Sequence, residues 1–391
     1  MIERTAEGGS PQGRRWLSLV ALFASILSFS ISFGGLVPWM ALVLDGRGTD
    51  ATLIGVVSAA NPLGVILAAP LVPGIVRRLG AAHAMIASGL VGLLSLVLLA
   101  VFDSLGAWLI LRLISGLAGA IPWVISETWI NAVAGDRTRG RTVALYGTVM
   151  AVGFAVGPLV LTVVGTEGML PLTFFVALYA AALVPIFLVR RLAPPLGSAK
   201  ATRISDLLRA MPLILAAAFL SGAVDTAFFS FLPIWGLRSG LDEAFAVTLL
   251  SIFIAGNIVL HFPLGWLADA VGYRRVMTGC GFACILGPVM ALESLQTPLL
   301  LGPVMFLWGG TAWGVYAIAL AALGERFKGG SLAAANAAFV MVYTLANVSG
   351  PPLAGIAIEV WNPHGLMVLM LGFAVAFTVL AVLRSFVRRP R

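Results

Sequence analysis

Apolar runs of roughly 20 residues, the length a helix needs to cross a bilayer, follow one another along the whole chain with only short polar breaks. No other feature limits the fold as strongly. In lipid, every backbone N–H and C=O must be bonded within the protein, which leaves helical bundles or closed barrels. The runs are too long and too continuously apolar for barrel strands, which would alternate. Composition agrees: 60% of the residues are hydrophobic, 10% are charged, and the mean hydropathy is +1.04. A soluble protein carries about a quarter charged residues. The chain therefore reads as an all-α membrane protein.

Spans are expected near 17–43, 52–75, 83–102, 106–131, 142–165, 170–189, 211–236, 245–268, 276–295, 299–323, 331–358 and 366–386. The net charge of +8 does not point to nucleic acid, because the basic residues sit in clusters between apolar runs. Such clusters are a topology signal. With twelve spans, 21 of the 24 Lys and Arg fall on one side. Arg47 and Arg238 fall on the other, and Arg112 lies within a span. The bias places both termini in the cytoplasm, as expected for a bacterial inner (plasma) membrane protein. The polar stretch 1–16 reads as a tail, and the first apolar run is too long for a signal-peptide core, so it is expected to stay as a span.

The longest break, "RRLAPPLGSAKATRISDLLRA" at 190–210, divides the chain into bundles 17–189 and 211–386, with a short tail at 387–391. The two halves echo each other. "LVPWM" and "FLPIW" place Pro38 and Pro233 195 residues apart. "VGPLV" and "SGPPLAG" place Gly157 and Gly350 193 apart, and Gly80 and Gly272 are 192 apart in "PGIVRRLGAAH" and "GWLADAVGYRR". Parallel repeats of this length imply two pseudo-symmetric six-helix bundles related by an axis along the membrane normal.

These residues resemble the major facilitator superfamily. "GWLADAVGYRR", with Gly265, Asp269, Gly272, Arg274 and Arg275, is similar to its motif between spans two and three, with Ala270 in place of an Arg. The first-half copy has Arg77 where the motif has Asp, followed by Gly80. "RLISGLAGA" resembles the fourth-span motif, with Ser115 for Gln, and "GTVMAVGFAVGPLV" resembles the fifth-span antiporter motif without its final paired glycines. The best likeness is the twelve-span drug and small-molecule proton antiporter branch. The resemblance implies the major facilitator fold, alternating access, and a link between the fourth-span Arg, here Arg112, and proton coupling.

Asp225 is the only charge between Arg209 and Arg238. A charged acid at bilayer centre costs about 2.5–3.5 kcal/mol, so it should face the bundle interior or a water-filled cavity. It is a proton site, a cationic-substrate site, or a structural carboxylate with a fixed partner. Arg112 lies about 9 Å, and Asp225 about 16 Å, below the outer ends of their spans, so the long Arg can bridge the difference if the halves approach. Glu127 is about 22 Å along the axis from Arg112 and cannot pair with it. Its expected partners are Arg77, Arg78, Arg137 or Arg139. A pair of Arg77 with Glu127 would mirror, with signs reversed, a pair of Asp269 with Arg326.

Gly153, Gly157 and Pro158, and Gly350 with Pro351, allow close-packed kinked helices that either slide between the halves or simply pack. Mid-depth polar and aromatic residues are the cavity candidates: Asn61, Asn257, His261, Trp308, Trp313, Tyr316, Asn336, Tyr343 and Asn347. With few charges among them, they suit a small, amphiphilic, neutral or cationic molecule. Cys280 and Cys284 share a helix face and read as packing residues. No metal-ligand cluster, nucleophile motif or soluble domain marks an enzyme. The expected function is proton-coupled efflux by a monomer that uses no cofactor beyond the proton gradient. An importer or uniporter of the same fold is the alternative, with a transport-inactive sensor behind it.

Overall fold

The computed structural model describes residues 11–134, 138–193 and 211–386. The remaining residues, which include Arg137 and most of the central loop with Lys200, Arg203 and Arg209, lie outside the described set, as does the side chain of Arg139. Twelve helices are long and apolar enough to cross a membrane. They are spans 1 to 6 (Gly13–Gly46, Ala51–Leu79, Ala81–Leu98, Leu105–Val133, Gly140–Val164, Leu170–Leu188) and spans 7 to 12 (Pro212–Arg238, Glu243–Val271, Tyr273–Glu293, Pro298–Arg326, Ala334–Val360, Gly365–Arg384). Span number and order match the expectation, and the ends differ by a few residues. Span 2 is broken. A 3-10 turn at Ala69–Leu71 separates its two helices, where Pro70 and Pro73 remove backbone donors.

Local chemistry sets the helix ends. The Ser104 side chain accepts from Ala107 N at 3.2 Å to open span 4, and Asp242 accepts from Ala244 N and Phe245 N to open span 8. Gly80 and Gly272 join spans 2 to 3 and 8 to 9 with φ of 78° and 92°, a left-handed conformation that favours glycine. The motif glycine recurs in both halves because the same turn recurs.

Packing repeats in the same way. Span 1 packs on spans 5 and 6, span 2 on span 4, and span 3 on spans 4 and 6. Span 7 packs on 11 and 12, span 8 on 10, and span 9 on 10 and 12. Small residues permit these approaches. A Cβ on Gly157 would lie 2.5 Å from Gly35 N, and one on Gly350 would lie 2.7 Å from Ala223 O. Of the two readings of the kink motifs, packing holds for three glycines: Gly153 and Gly157 face span 1, and Gly350 faces span 7, each within its own bundle. The rest of "SGPPLAG" meets the other bundle, with Pro351 and Pro352 against Gly55 and Gly355 against Ala51.

The bundles meet through spans 1 and 7, 2 and 11, and 5 and 8. Polar contacts between them gather at the cation-poor end. Arg238 pairs with Asp45 and Thr166 Oγ1 donates to Glu243, while Thr52 N donates to Glu359 Oε1 at 2.8 Å. Beside them is a cavity of about 560 Å³, lined by Trp39, Asp45, Trp108, Glu167 and Glu243 among others. The Arg238–Asp45 pair is partly exposed, so it contributes on the order of 1 kcal/mol or less to stability. It holds one bundle to the other, however, so its loss acts on the conformational equilibrium. Arg238→Gln is expected to raise maleimide labelling of a cysteine placed at Leu42 in this cavity several-fold, with Cys280 and Cys284 silent because they are buried. Unchanged labelling would show that the pair does not hold this end shut.

Candidate functional site

Midway along span 7 the helix is almost wholly buried, and Asp225 is its one charge before Arg238. It is half-buried and faces span 11. Tyr343 Oη donates to Asp225 Oδ2 at 2.6 Å, while Oδ1 is buried with no partner. The next residue, Thr226, donates through Oγ1 to Asn347 Oδ1 at 2.8 Å. Two adjacent residues of span 7 therefore grip two residues of span 11 that lie one helical turn apart. The approach is close because residue 222 is glycine: a Cβ there would lie 2.3 Å from the Tyr343 carbonyl oxygen.

Aromatic rings continue the site toward span 10. Tyr316 lies edge-on to Tyr343 at 5.1 Å and beside Phe339 at 5.0 Å. Tyr316 is within electrostatic reach of both Asp225 and Glu127, one carboxylate from each bundle. Glu127 is exposed on the cation-rich half of span 4, next to Trp123 and Tyr146. It forms no ion pair with Arg77 or Arg78, and the other two expected partners, Arg137 and the side chain of Arg139, lie outside the described residues. Asp269 and Arg326 likewise form no ion pair. Arg326 lies instead 5.7 Å from the Phe327 ring, and both charges are exposed, where water offsets most of what pairing would gain.

Arg112 is 3% exposed, so it neither snorkels to the surface nor reaches Asp225. Its guanidinium lies 5.9 Å over the Phe33 ring, a cation–π distance, and its Nε is buried without a partner. Phe33 begins a run of rings that sequence reasoning missed. It contacts Phe29 at 6.0 Å and Phe154 at 5.9 Å, and Phe154 meets Phe229 of the other bundle at 5.8 Å. Phe229 is one turn beyond Asp225 on span 7. Phenylalanines are ordinary in apolar spans, so nothing in the sequence singles these out.

The remaining candidates divide. Trp308 is corrected from cavity wall to core: it is 3% exposed, packs against Phe228 at 5.0 Å and Phe253 at 5.8 Å, and covers Gly287. Asn61 Nδ2 donates to Ser115 Oγ at 3.0 Å, a link between spans 2 and 4 inside one bundle. Trp313 is half-buried against the core, and Asn257 is buried. His261 is exposed, one turn from Asn257. Asn336 is exposed on the face of span 11 that carries Tyr343. Exposed polar groups thus lie toward the cation-rich end, and half-buried or buried ones lie deeper.

Two pseudo-symmetric bundles closed at one end, with an intramembrane carboxylate between them, define a secondary transporter. A family model described as Major Facilitator Superfamily matches residues 19–323 and 248–391, and the chain belongs to that family. It is 26% identical over 357 residues to an uncharacterized MFS-type transporter, YcaD, of Escherichia fergusonii, covering 90% of this chain and 92% of that protein. It is 25% identical to the uncharacterized MFS-type transporter YfkF of Bacillus subtilis, covering 86% and 87%. Among solved structures, the nucleoside transporter NupG superposes with a TM-score of 0.75 at 18% identity, covering 96% of this chain and 100% of that one. A D-xylose-proton symporter gives 0.73 at 15% identity, covering 96% and 98%. At such identities these structures show the fold alone.

Proposed function

We propose that the protein is a proton-coupled transporter that exports a small amphiphilic molecule, neutral or cationic, across a bacterial inner membrane. The observation that carries this reading is Asp225: a carboxylate half-way through the membrane, one oxygen held by Tyr343 and the other buried and open. A carboxylic acid there can take a proton or a cationic group, and competition between them is the simplest form of exchange. Tyr316, Tyr343 and the Phe33–Phe154–Phe229 rings supply apolar and π surface, while Arg112 and Asp225 supply one donor and one acceptor. No set of buried cations is present among the described residues to hold a polyanion. The polar contacts that join the bundles at the cation-poor end support, with both termini in the cytoplasm, an inward-facing state ready to load from inside.

The test is reconstitution into proteoliposomes with pyranine trapped inside, challenged with a panel of lipophilic amines, quaternary cations and neutral amphiphiles. Proton movement opposite to the movement of a panel member supports exchange. Movement in the same direction establishes symport instead, and substrate flux without proton movement establishes uniport.

A further inference from the structure

Tyr343 and Asn347 first appear as lining residues of a substrate cavity. Their contacts give them another role. The phenol hydroxyl of Tyr343 has a single proton, and it is committed to Asp225 Oδ2 at 2.6 Å. Its surroundings are close: the backbone carbonyl lies against Gly222, and the ring packs edge-to-face with Tyr316 at 5.1 Å. Asn347, one turn further along span 11, interacts with the same phenol, and its own amide is anchored by Thr226 Oγ1 at 2.8 Å. The Thr226 hydroxyl, whose one proton goes to Asn347, lies 3.3 Å from Gly222 O, beside the point of closest helix approach. Every group around the phenol is thus fixed by a neighbour, and the chain of contacts starts and ends on span 7.

Asp225 then has two unlike oxygens. Oδ2 is occupied by a rigid donor, whereas Oδ1 is buried and unpartnered. A proton arriving at Oδ2 would require the phenol to turn its hydrogen elsewhere, against the contacts that hold it. A proton arriving at Oδ1 leaves every existing bond intact, with Oδ2 becoming the carbonyl oxygen and still accepting from Tyr343. We infer that Tyr343, held by Tyr316 and by the Thr226–Asn347 clamp, is a positioning residue that makes Oδ1 the loading atom of Asp225. This rests on the reading of Asp225 as the proton site.

The vibrational spectrum of the carboxyl group reads the inference without needing a substrate. Infrared spectra of the purified protein across a pH series, wild type minus Asp225→Asn, isolate the C=O stretch of protonated Asp225. With the proton on Oδ1, the carbonyl is Oδ2 and is hydrogen-bonded, so Tyr343→Phe should move the band to higher wavenumber. Asn347→Leu and Thr226→Val should shift or broaden it in the same direction by less, because they loosen the phenol without removing it. A band unmoved by Tyr343→Phe places the proton on Oδ2 and overturns the inference. A band moved by Tyr343→Phe but by neither clamp variant overturns the part assigned to Thr226 and Asn347. If no protonated band appears at any pH, the proton-site reading itself fails, and with it the loading-atom inference. The carboxylate stretches from the same subtraction then still report whether Tyr343 holds Oδ2. Tyr343→Phe keeps the ring that packs on Tyr316, and a monodisperse elution peak confirms that each variant is folded.

Discussion

Asp225→Asn is expected to abolish uphill transport driven by a pH gradient while leaving downhill exchange of the same substrate within a few-fold of wild type. The amide has nearly the shape of the acid and can still accept the Tyr343 hydroxyl through its carbonyl oxygen. It cannot release or take up a proton. One pH unit supplies about 1.36 kcal/mol per proton, which supports about a tenfold concentration ratio at one proton per substrate. In liposomes carrying one pH unit, the wild type should therefore approach a ratio of about ten and the variant about one. Counterflow with labelled and unlabelled substrate supplies the second measurement. Loss of both activities would mean that Asp225 contacts the substrate more than it couples the proton. Retention of the gradient-driven ratio would remove Asp225 from the mechanism.

The second large effect concerns the bundle scaffold. Gly309→Val should reduce the yield of folded protein severely and lower the Tm of what remains. A Cβ at residue 309 would lie 1.9 Å from the Phe253 carbonyl oxygen, and backbone does not move aside as a side-chain end can. Overpacking in a close-packed site costs typically about 1–3 kcal/mol, and a β-branched residue against a helix backbone belongs at or above the upper end. Gly279→Ala in span 9 is the matched control. Nothing lies within 4 Å of its added Cβ, so the variant should be neutral or gain about 0.5–1 kcal/mol from reduced backbone freedom. Comparable losses in both variants would show that the contact between spans 8 and 10 does not govern the effect.

The two expectations differ in how visible they were beforehand. Asp225 stands out in an apolar run because its cost in lipid is large and local, so one residue is enough to raise the question. Gly309 lies among 44 glycines, and its importance comes from a backbone 56 residues away. The cavity candidates show the same division. Tyr343 and Asn347 were legible as polar groups at the right depth, but depth does not separate a residue that faces substrate from one that holds another residue. Trp308 had the right depth as well, and its ring is spent on packing with Phe228 and Phe253. Glu127 was assigned basic partners from its position along the axis. The rotation of span 4 about that axis, which packing sets, also brings it within electrostatic reach of Tyr316 in the other bundle.

By itself the sequence determined the solvent, the number of spans, their order and the two-fold repeat. Each of these follows from free energies that add residue by residue: transfer of apolar surface into lipid, the asymmetry of Lys and Arg across the membrane, and the glycine turns that the repeat carries. Only the tertiary structure decided which bundle faces meet, which end is shut, and what Asp225 holds. Those depend on contacts between residues far apart in the chain, such as Arg238 with Asp45, Phe154 with Phe229 and Tyr343 with Asp225. A helix rotated by one residue would keep the same hydropathy and lose every one of them.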